Sequence, residues 1–164
     1  MSSALWKKDI NMANSIDVFS IIQAKSTEDV FRILNDYNAV FNPLISSRIS
    51  DIWAYADKLY KNAFVYIVVN AENKIIGFIA FYANDTKYKI SYLTWIGILP
   101  SYQNKRIGET LLNLCIKVAK EQNMSTLKLE VRKHNDRAIA FYSRNGFYHC
   151  GEASEDSLYM MKIL

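Results

Sequence analysis

The run from Tyr88 to Leu99 constrains this chain more than any other segment. It is rich in β-formers, apolar on both faces and closed by Pro100. A strand of that kind belongs in the middle of a sheet that is covered on both sides. The rest of the pattern supplies the covering elements. Ile16 to Gln23 reads as a first strand, and Ser26-Thr-Glu-Asp29 as a capping box in which Asp29 reaches back to the cap. Val30, Ile33, Leu34, Tyr37 and Phe41 then recur at helical spacing until Asn42-Pro43 breaks the helix. A polar Ser46-Ser47-Arg48 stretch leads to a second helix from Ile52 to about Asn62.

Two β-rich runs, Phe64 to Val69 and Lys74 to Tyr82, join through Asn70-Ala-Glu-Asn73 as a hairpin ahead of the central strand. Beyond it, Arg106 to Gln122 carries a stripe of Ile107, Leu111, Leu114, Cys115 and Val118. Thr126 to Arg132 alternates as a strand. Asn135 caps a fourth helix that runs to Arg144 and ends at Gly146. Phe147–Glu152 and Leu158–Ile163 form a last hairpin. The order β-α-α-β-β-β-α-β-α-β-β describes one mixed α/β domain with seven strands and four helices, without linker or internal repeat.

Composition narrows the class. With 164 residues, 51% hydrophobic and 22% charged, the chain suits one folded domain and not a disordered segment. The net charge of +4 invites a polyanionic partner, but the excess is regional. Residues 101–150 hold nine basic and four acidic side chains, and the remainder is slightly acidic. Two cysteines, Cys115 and Cys150, suggest no disulfide framework and a reduced, cytoplasmic compartment. His149 and Cys150 are neighbours on a strand and point to opposite faces, so no metal site is expected. Met1 to Asn11 lacks an apolar h-region, and Ile75 to Ala83 is too short to span a bilayer. The expectation is a flexible arm over residues 1–14 ahead of a domain at 15–164, with no membrane partner.

The segment Ile98-Leu-Pro-Ser-Tyr-Gln-Asn-Lys-Arg-Ile-Gly108 delivers unpaired backbone N–H groups to a helix N-terminus. Such an end binds phosphate, and Lys105 and Arg106 add charge to it. Gly108 lets a ligand approach the backbone closely. Downstream, Asn135-Asp-Arg-Ala-Ile-Ala-Phe-Tyr142-Ser-Arg-Asn-Gly146-Phe147 follows the Leu-Glu-Val-Arg strand.

Taken together these residues resemble the GCN5-related N-acetyltransferase superfamily. Its acetyl-CoA loop, Gln/Arg-x-x-Gly-x-Gly/Ala, reads Gln103-x-x-Arg106-x-Gly108 here, and its Asn-x-x-Ala-x-x-Phe/Leu-Tyr-x-x-x-Gly-Phe motif is matched from Asn135 to Phe147. Arg106 stands where the family has its first glycine, and is read as the first turn of the helix, where an Arg is tolerated and binds pyrophosphate bidentately.

The resemblance implies an α/β (α+β) fold whose central sheet is mixed and mostly antiparallel, with about seven strands and about four helices. It implies acetyl-CoA as co-substrate, with no metal, held by Ile98, Leu99, Gln103, Asn104, Lys105, Arg106, Ile107, Gly108, Glu109, Asn135 and Arg137. Backbone amides of Ile98 and Leu99 would face the acetyl carbonyl. Tyr142 would be the general acid, since a phenol stays protonated at neutral pH and can donate to a thiolate. Glu130 is the side-chain candidate for general base. Beside it stand a purely structural carboxylate between Lys128 and Arg132, and a water relay through backbone carbonyls or Tyr92.

The acceptor is expected in a pocket lined by Asn42 to Ser50 and Ala153 to Ser157. The uncharged Asn42-Pro-Leu-Ile-Ser-Ser segment suits a small-molecule amine such as an amino sugar or metabolite, with a protein N-terminal amine as the alternative. A non-catalytic acyl-CoA-binding module would have no use for Tyr142. A nucleic-acid binder would need aromatics interleaved with basic residues on an exposed face, and residues 101–150 show no such stripe. A homodimer is left open.

Overall fold

In the computed structural model, which describes residues 18–164, the elements are β1 (Phe19–Gln23), α1 (Thr27–Asp36), α2 (Ile45–Arg48), α3 (Ile52–Asn62), β2 (Phe64–Asn70), β3 (Ile75–Asp85), β4 (Ile90–Ile98), α4 (Ile107–Glu121), β5 (Thr126–Arg132), α5 (Asp136–Arg144), β6 (Tyr148–Glu152) and β7 (Ser157–Ile163). The strands form one sheet in the order β1-β2-β3-β4-β5-β7-β6. Every neighbouring pair is antiparallel except β4 and β5, whose parallel crossover is made by α4. The expected arm over residues 1–14 and the start of the first strand lie outside the described residues.

Each face of the sheet buries its own apolar cluster. Ile107, Leu111, Leu112, Cys115 and Val118 of α4 press on Ile79, Phe81, Leu93, Leu127 and Leu129. Val30, Ile33 and Leu34 of α1, with Ala56 and Leu59 of α3, press on Val65, Ile67, Phe78 and Trp95. Burying a side chain of this size contributes roughly 1.5–3 kcal/mol, so the two clusters fix the sheet from both sides. No helix among the described residues is long and apolar enough to cross a membrane.

Several details differ from the sequence reading, the following ones for local reasons. The first helix stops at Asp36, not Phe41. Beyond it the Asn38 side chain bonds the backbone and hydroxyl of Ser46, an alternative to helical bonding that folds residues 38–40 into a 3-10 turn. The short α2 that follows is a fifth helix that the reading did not contain. It seats Ile45 in the core. The cap of α1 is Ser26 as expected, but the Asp29 carboxylate accepts from the Lys25 N–H at 3.0 Å, one residue before the cap. At the other end of the hairpin, Lys89 is left-handed with φ +55°, so β4 starts at Ile90 and not at Tyr88.

Candidate active site

β4 is central, as its sequence demands, but its two apolar faces arise differently from a uniformly buried strand. Its residues alternate in burial, and the register against β3 steps from Ala80↔Trp95 to Phe81↔Leu93, leaving Thr94 as an extra residue. This bulge switches the faces: Leu93 packs on the α4 side and Trp95 on the α1–α3 side. At the same place the parallel ladder with β5 ends, its last pair being Leu93↔Leu129. Beyond it the two strands part. The Leu99 N–H donates to the Ile76 carbonyl at 3.0 Å, so strand alternation turns the N–H groups of Ile96 and Ile98 away from β3 and into the gap.

A cleft of about 1190 Å³ occupies this gap. One wall is the start of α4. The first bond of that helix runs from the Thr110 N–H to the Arg106 carbonyl, and Arg106 offers no side-chain cap. The N–H groups of Ile107, Gly108 and Glu109 therefore have no helical acceptor and are available to an anion. The Glu109 carboxylate is exposed and of the wrong sign for that anion, so its contribution runs through its backbone N–H. Arg106 itself has φ +60° and ψ 7°, which corrects the first-turn reading. The position is left-handed, the conformation that explains a glycine in the family motif, and Arg occupies it at a cost of roughly 1–2 kcal/mol. Asn104, two residues earlier, is left-handed as well.

The loop between β4 and α4 is held by side chains. Gln103 Nε2 donates to the Ile98 carbonyl at 3.1 Å, and Gln103 Oε1 accepts from Arg137 Nη1 at 2.5 Å. Arg137 also donates to Asn104 Oδ1 at 3.2 Å. The guanidinium expected on a phosphate thus ties α5 to the loop. A Cβ built on Gly108 meets nothing closer than Phe141 at 3.6 Å. The protein itself does not need a bare backbone there, so the open space serves whatever enters the cleft, and the residues fit an extended phosphate-bearing ligand.

α5 opens on Asn135, whose Oδ1 accepts from the Ala138 N–H at 3.1 Å. It closes in a Schellman motif: the Gly146 N–H bonds Ser143 and the Phe147 N–H bonds Tyr142, with Gly146 at φ +84°. The accompanying apolar contact is between the Tyr142 and Phe147 rings, 5.6 Å apart. Tyr142 is thereby locked as a buried side chain that lines the cleft. Burial, with Cys115 nearby, drives its phenol pKa well above the ordinary value, so the proton stays on at any neutral pH.

Glu130 projects from the exposed face of β5, opposite Leu127, Leu129 and Val131, and also lines the cleft. Ser157 Oγ of β7 donates to its Oε1 at 2.5 Å and shares a hydrogen bond with Ser154 Oγ. Tyr92, on the neighbouring strand just before the gap, has its phenol pushed up to about 12 by burial and by the Glu130 charge. Of the expected acceptor segment, Asn42, Arg48 and Ile49 line the cleft, whereas none of Ala153 to Ser157 does; they meet its lining through the Ser157–Glu130 bond and the Asp156–Arg132 pair.

Among the expected coenzyme contacts, Ile98, Gln103, Asn104, Arg106, Ile107, Gly108, Glu109, Asn135 and Arg137 line the cleft together with both expected catalytic residues, Tyr142 and Glu130. Two do not. Leu99 turns toward a separate cavity of about 760 Å³ beneath α1, and its amide is already bonded to Ile76. Lys105 points its ammonium over the Tyr102 ring, 5.1 Å from the centroid. Sequence reasoning missed Ile96, Tyr55 and Trp95, because the elements that bring them to the cleft are far apart in the chain.

A mixed sheet that parts beside a helix start with free N–H donors, with a buried phenol on the same cleft, defines the class of fold and site. The acetyltransferase (GNAT) family model matches residues 28–147, and the chain belongs to that family. It is similar to the spermidine N(1)-acetyltransferase of Thermoplasma acidophilum, 34% identical over 79 residues, covering 47% of this chain and 46% of that one. It is also similar to the streptothricin acetyltransferase of Streptomyces lavendulae, 31% identical over 94 residues, covering 52% and 45%. The matched stretches span less than half the length of both relatives. A solved paia N-acetyltransferase from Thermoplasma acidophilum in complex with coenzyme A shares the fold, with a TM-score of 0.68 at 20% identity over 89% of this chain and 99% of that one. The open, mostly antiparallel seven-stranded sheet is therefore that of the family.

Proposed function

We propose that the protein is an N-acetyltransferase that moves an acetyl group from acetyl-CoA to the primary amine of a small molecule. The observation that carries this reading is the convergence on one cleft of the free N–H groups of Ile107–Glu109, the Ile96 and Ile98 amides and the Tyr142 phenol. Bound acetyl-CoA supplies an activated thioester carbonyl. The start of α4 and the Arg106 guanidinium hold the pyrophosphate, and the Ile96 and Ile98 N–H groups orient and polarise what lies along the parted strand. Tyr142 holds the proton that the departing thiolate takes up. Glu130, oriented by Ser157, receives the proton the amine gives up, directly or through one water. The relatives named for spermidine and streptothricin are consistent with a small-molecule acceptor.

The reading is tested by thermal denaturation with and without acetyl-CoA, followed by thiol release over a panel of amines. At about 100 times its Kd, acetyl-CoA should stabilise by about 2.7 kcal/mol and raise Tm by roughly 5–10 °C. Absence of both the rise in Tm and any thiol release across the amine panel would sink it.

A further inference from the structure

We infer that the amine acceptor carries an anionic group, a carboxylate on an apolar body, and that Arg48 is the residue that selects it. The inference rests on the N-acetyltransferase reading and concerns the wall of the cleft facing α4 and α5. There the Arg48 guanidinium lies 5.1 Å from the centre of the Trp95 ring. A cation–π contact of this kind does not consume the guanidinium's N–H donors. Arg48 is exposed, and among the described residues it makes no hydrogen bond or ion pair. The cleft's other arginines are placed differently: Arg137 is spent on Gln103 and Asn104, Arg132 faces Asp156 at 3.7 Å, and Arg106 and Arg144 stand on the α4–α5 side.

The surroundings of Arg48 complete the case. Trp95 Nε1 donates to the Tyr55 hydroxyl at 2.9 Å, so that oxygen is already an acceptor and its own proton remains to be donated. Phe41 packs edge-on against Trp95 and extends the apolar wall. The Thr94 hydroxyl at the bulge is buried, lines the cleft and has no hydrogen-bond partner. The Tyr55 hydroxyl and a guanidinium over an aromatic wall form a receptor for a carboxylate on an apolar molecule. Among the described residues only two carboxylates line the cleft, Glu109 at the α4 end and Glu130. A polyamine needs a negative partner for each of its charges, and this wall presents a positive one instead. Glu130 faces the amine, and Arg48 faces the opposite charge on the same molecule.

The test compares amino acids with amines that lack only the carboxylate: phenylalanine against phenethylamine, and methionine against 3-(methylthio)propylamine, with spermidine and glucosamine as controls. The wild-type kcat/KM should favour the carboxylate-bearing member of a pair by about tenfold or more. Arg48→Gln should shrink that ratio about tenfold, mainly through KM, and Arg48→Lys should recover part of it, because charge survives while the bidentate fork does not. Arg48 lies on the surface, and the acetyl-CoA-induced rise in Tm reports that each variant is folded and binds the donor. Spermidine or a decarboxylated amine preferred by the wild type overturns the inference, as does a ratio unchanged in Arg48→Gln. An acetyl-CoA shift with no carboxylate-bearing amine turned over also overturns it while leaving the donor reading intact. Absence of the shift itself defeats the proposed function.

Discussion

Tyr142 does two jobs with one side chain. Its ring closes the Schellman contact with Phe147, and its hydroxyl is the proton carrier we propose for the cleft it lines. Tyr142→Phe keeps the ring, so it should preserve Tm and acetyl-CoA binding while lowering kcat by about tenfold or more in a thiol-release assay. Gly108→Ala separates protein from ligand in the opposite direction. The new methyl meets only Phe141 at ordinary contact distance, and alanine suits a helix, so stability should hold or rise by up to about 1 kcal/mol. Acetyl-CoA affinity should fall, read as a lost thermal shift. At this scale Tyr142, Asn135 and Gly146 could be read from the sequence because the cap, ring contact and left-handed turn all lie within one local stretch. Arg48 falls within the expected acceptor segment, but its contact with Trp95 could not be read, since Trp95 and Tyr55 come from other elements.

The ends of elements carry the site, and they are where sequence reading succeeded and failed. The last turn of α5 was legible through Gly146; the first turn of α4 was not, because an arginine gives no sign of a left-handed backbone. Arg106→Gly should relieve that strain and leave stability equal or up to about 1 kcal/mol higher, while removal of the guanidinium weakens acetyl-CoA binding. Arg106→Val should cost roughly 1–2 kcal/mol more than glycine in urea denaturation, because branching at Cβ worsens the same conformation. The bulge at Thr94 was equally hidden. A strand apolar at nearly every position looks doubly buried whether it faces two layers at once or switches layers midway, and only the pairing with β3 tells these apart.

Across the whole molecule, burial of phenols links stability to alkaline pH. Tyr92 is raised to about 12, first by burial and then by Glu130, and burial also raises Tyr37, Tyr55, Tyr66, Tyr82 and Tyr142. Their folded-state pKa values lie above the unfolded value of about 10, so the folded chain holds more protons than the unfolded one. The stabilisation is complete below pH 10 and is lost as pH rises through 10 to 12. The buried Cys115 thiol, also raised well above its ordinary value, starts its loss at about pH 8.5. The urea midpoint should therefore be flat only below about pH 8, decline gently toward pH 10 and fall steeply from 10 to 12. An unchanged midpoint at pH 11.5 would contradict these shifts. The element order and the two-layer covering of the sheet followed from apolar periodicity, which is set locally. The gap that makes the cleft did not, since it depends on where pairing between β4 and β5 stops.

That stopping point has a mechanical meaning. Among the described residues, four ladder pairs, from Ile90↔Thr126 to Leu93↔Leu129, join the strands β1 to β4 with the strands β5 to β7. The Lys89 carbonyl, which accepts from Ser125 and Thr126, extends this ladder at one end. The domain is in effect two plates riveted along one short seam, with the load otherwise carried by α4 and by the Gln103–Arg137 clasp. Whatever fills the opening works as the missing rivet. Exchange of amide hydrogens in the far ends of β4 and β5 should therefore slow in concert when the donor binds, marking the seam as the place where the molecule stores its compliance.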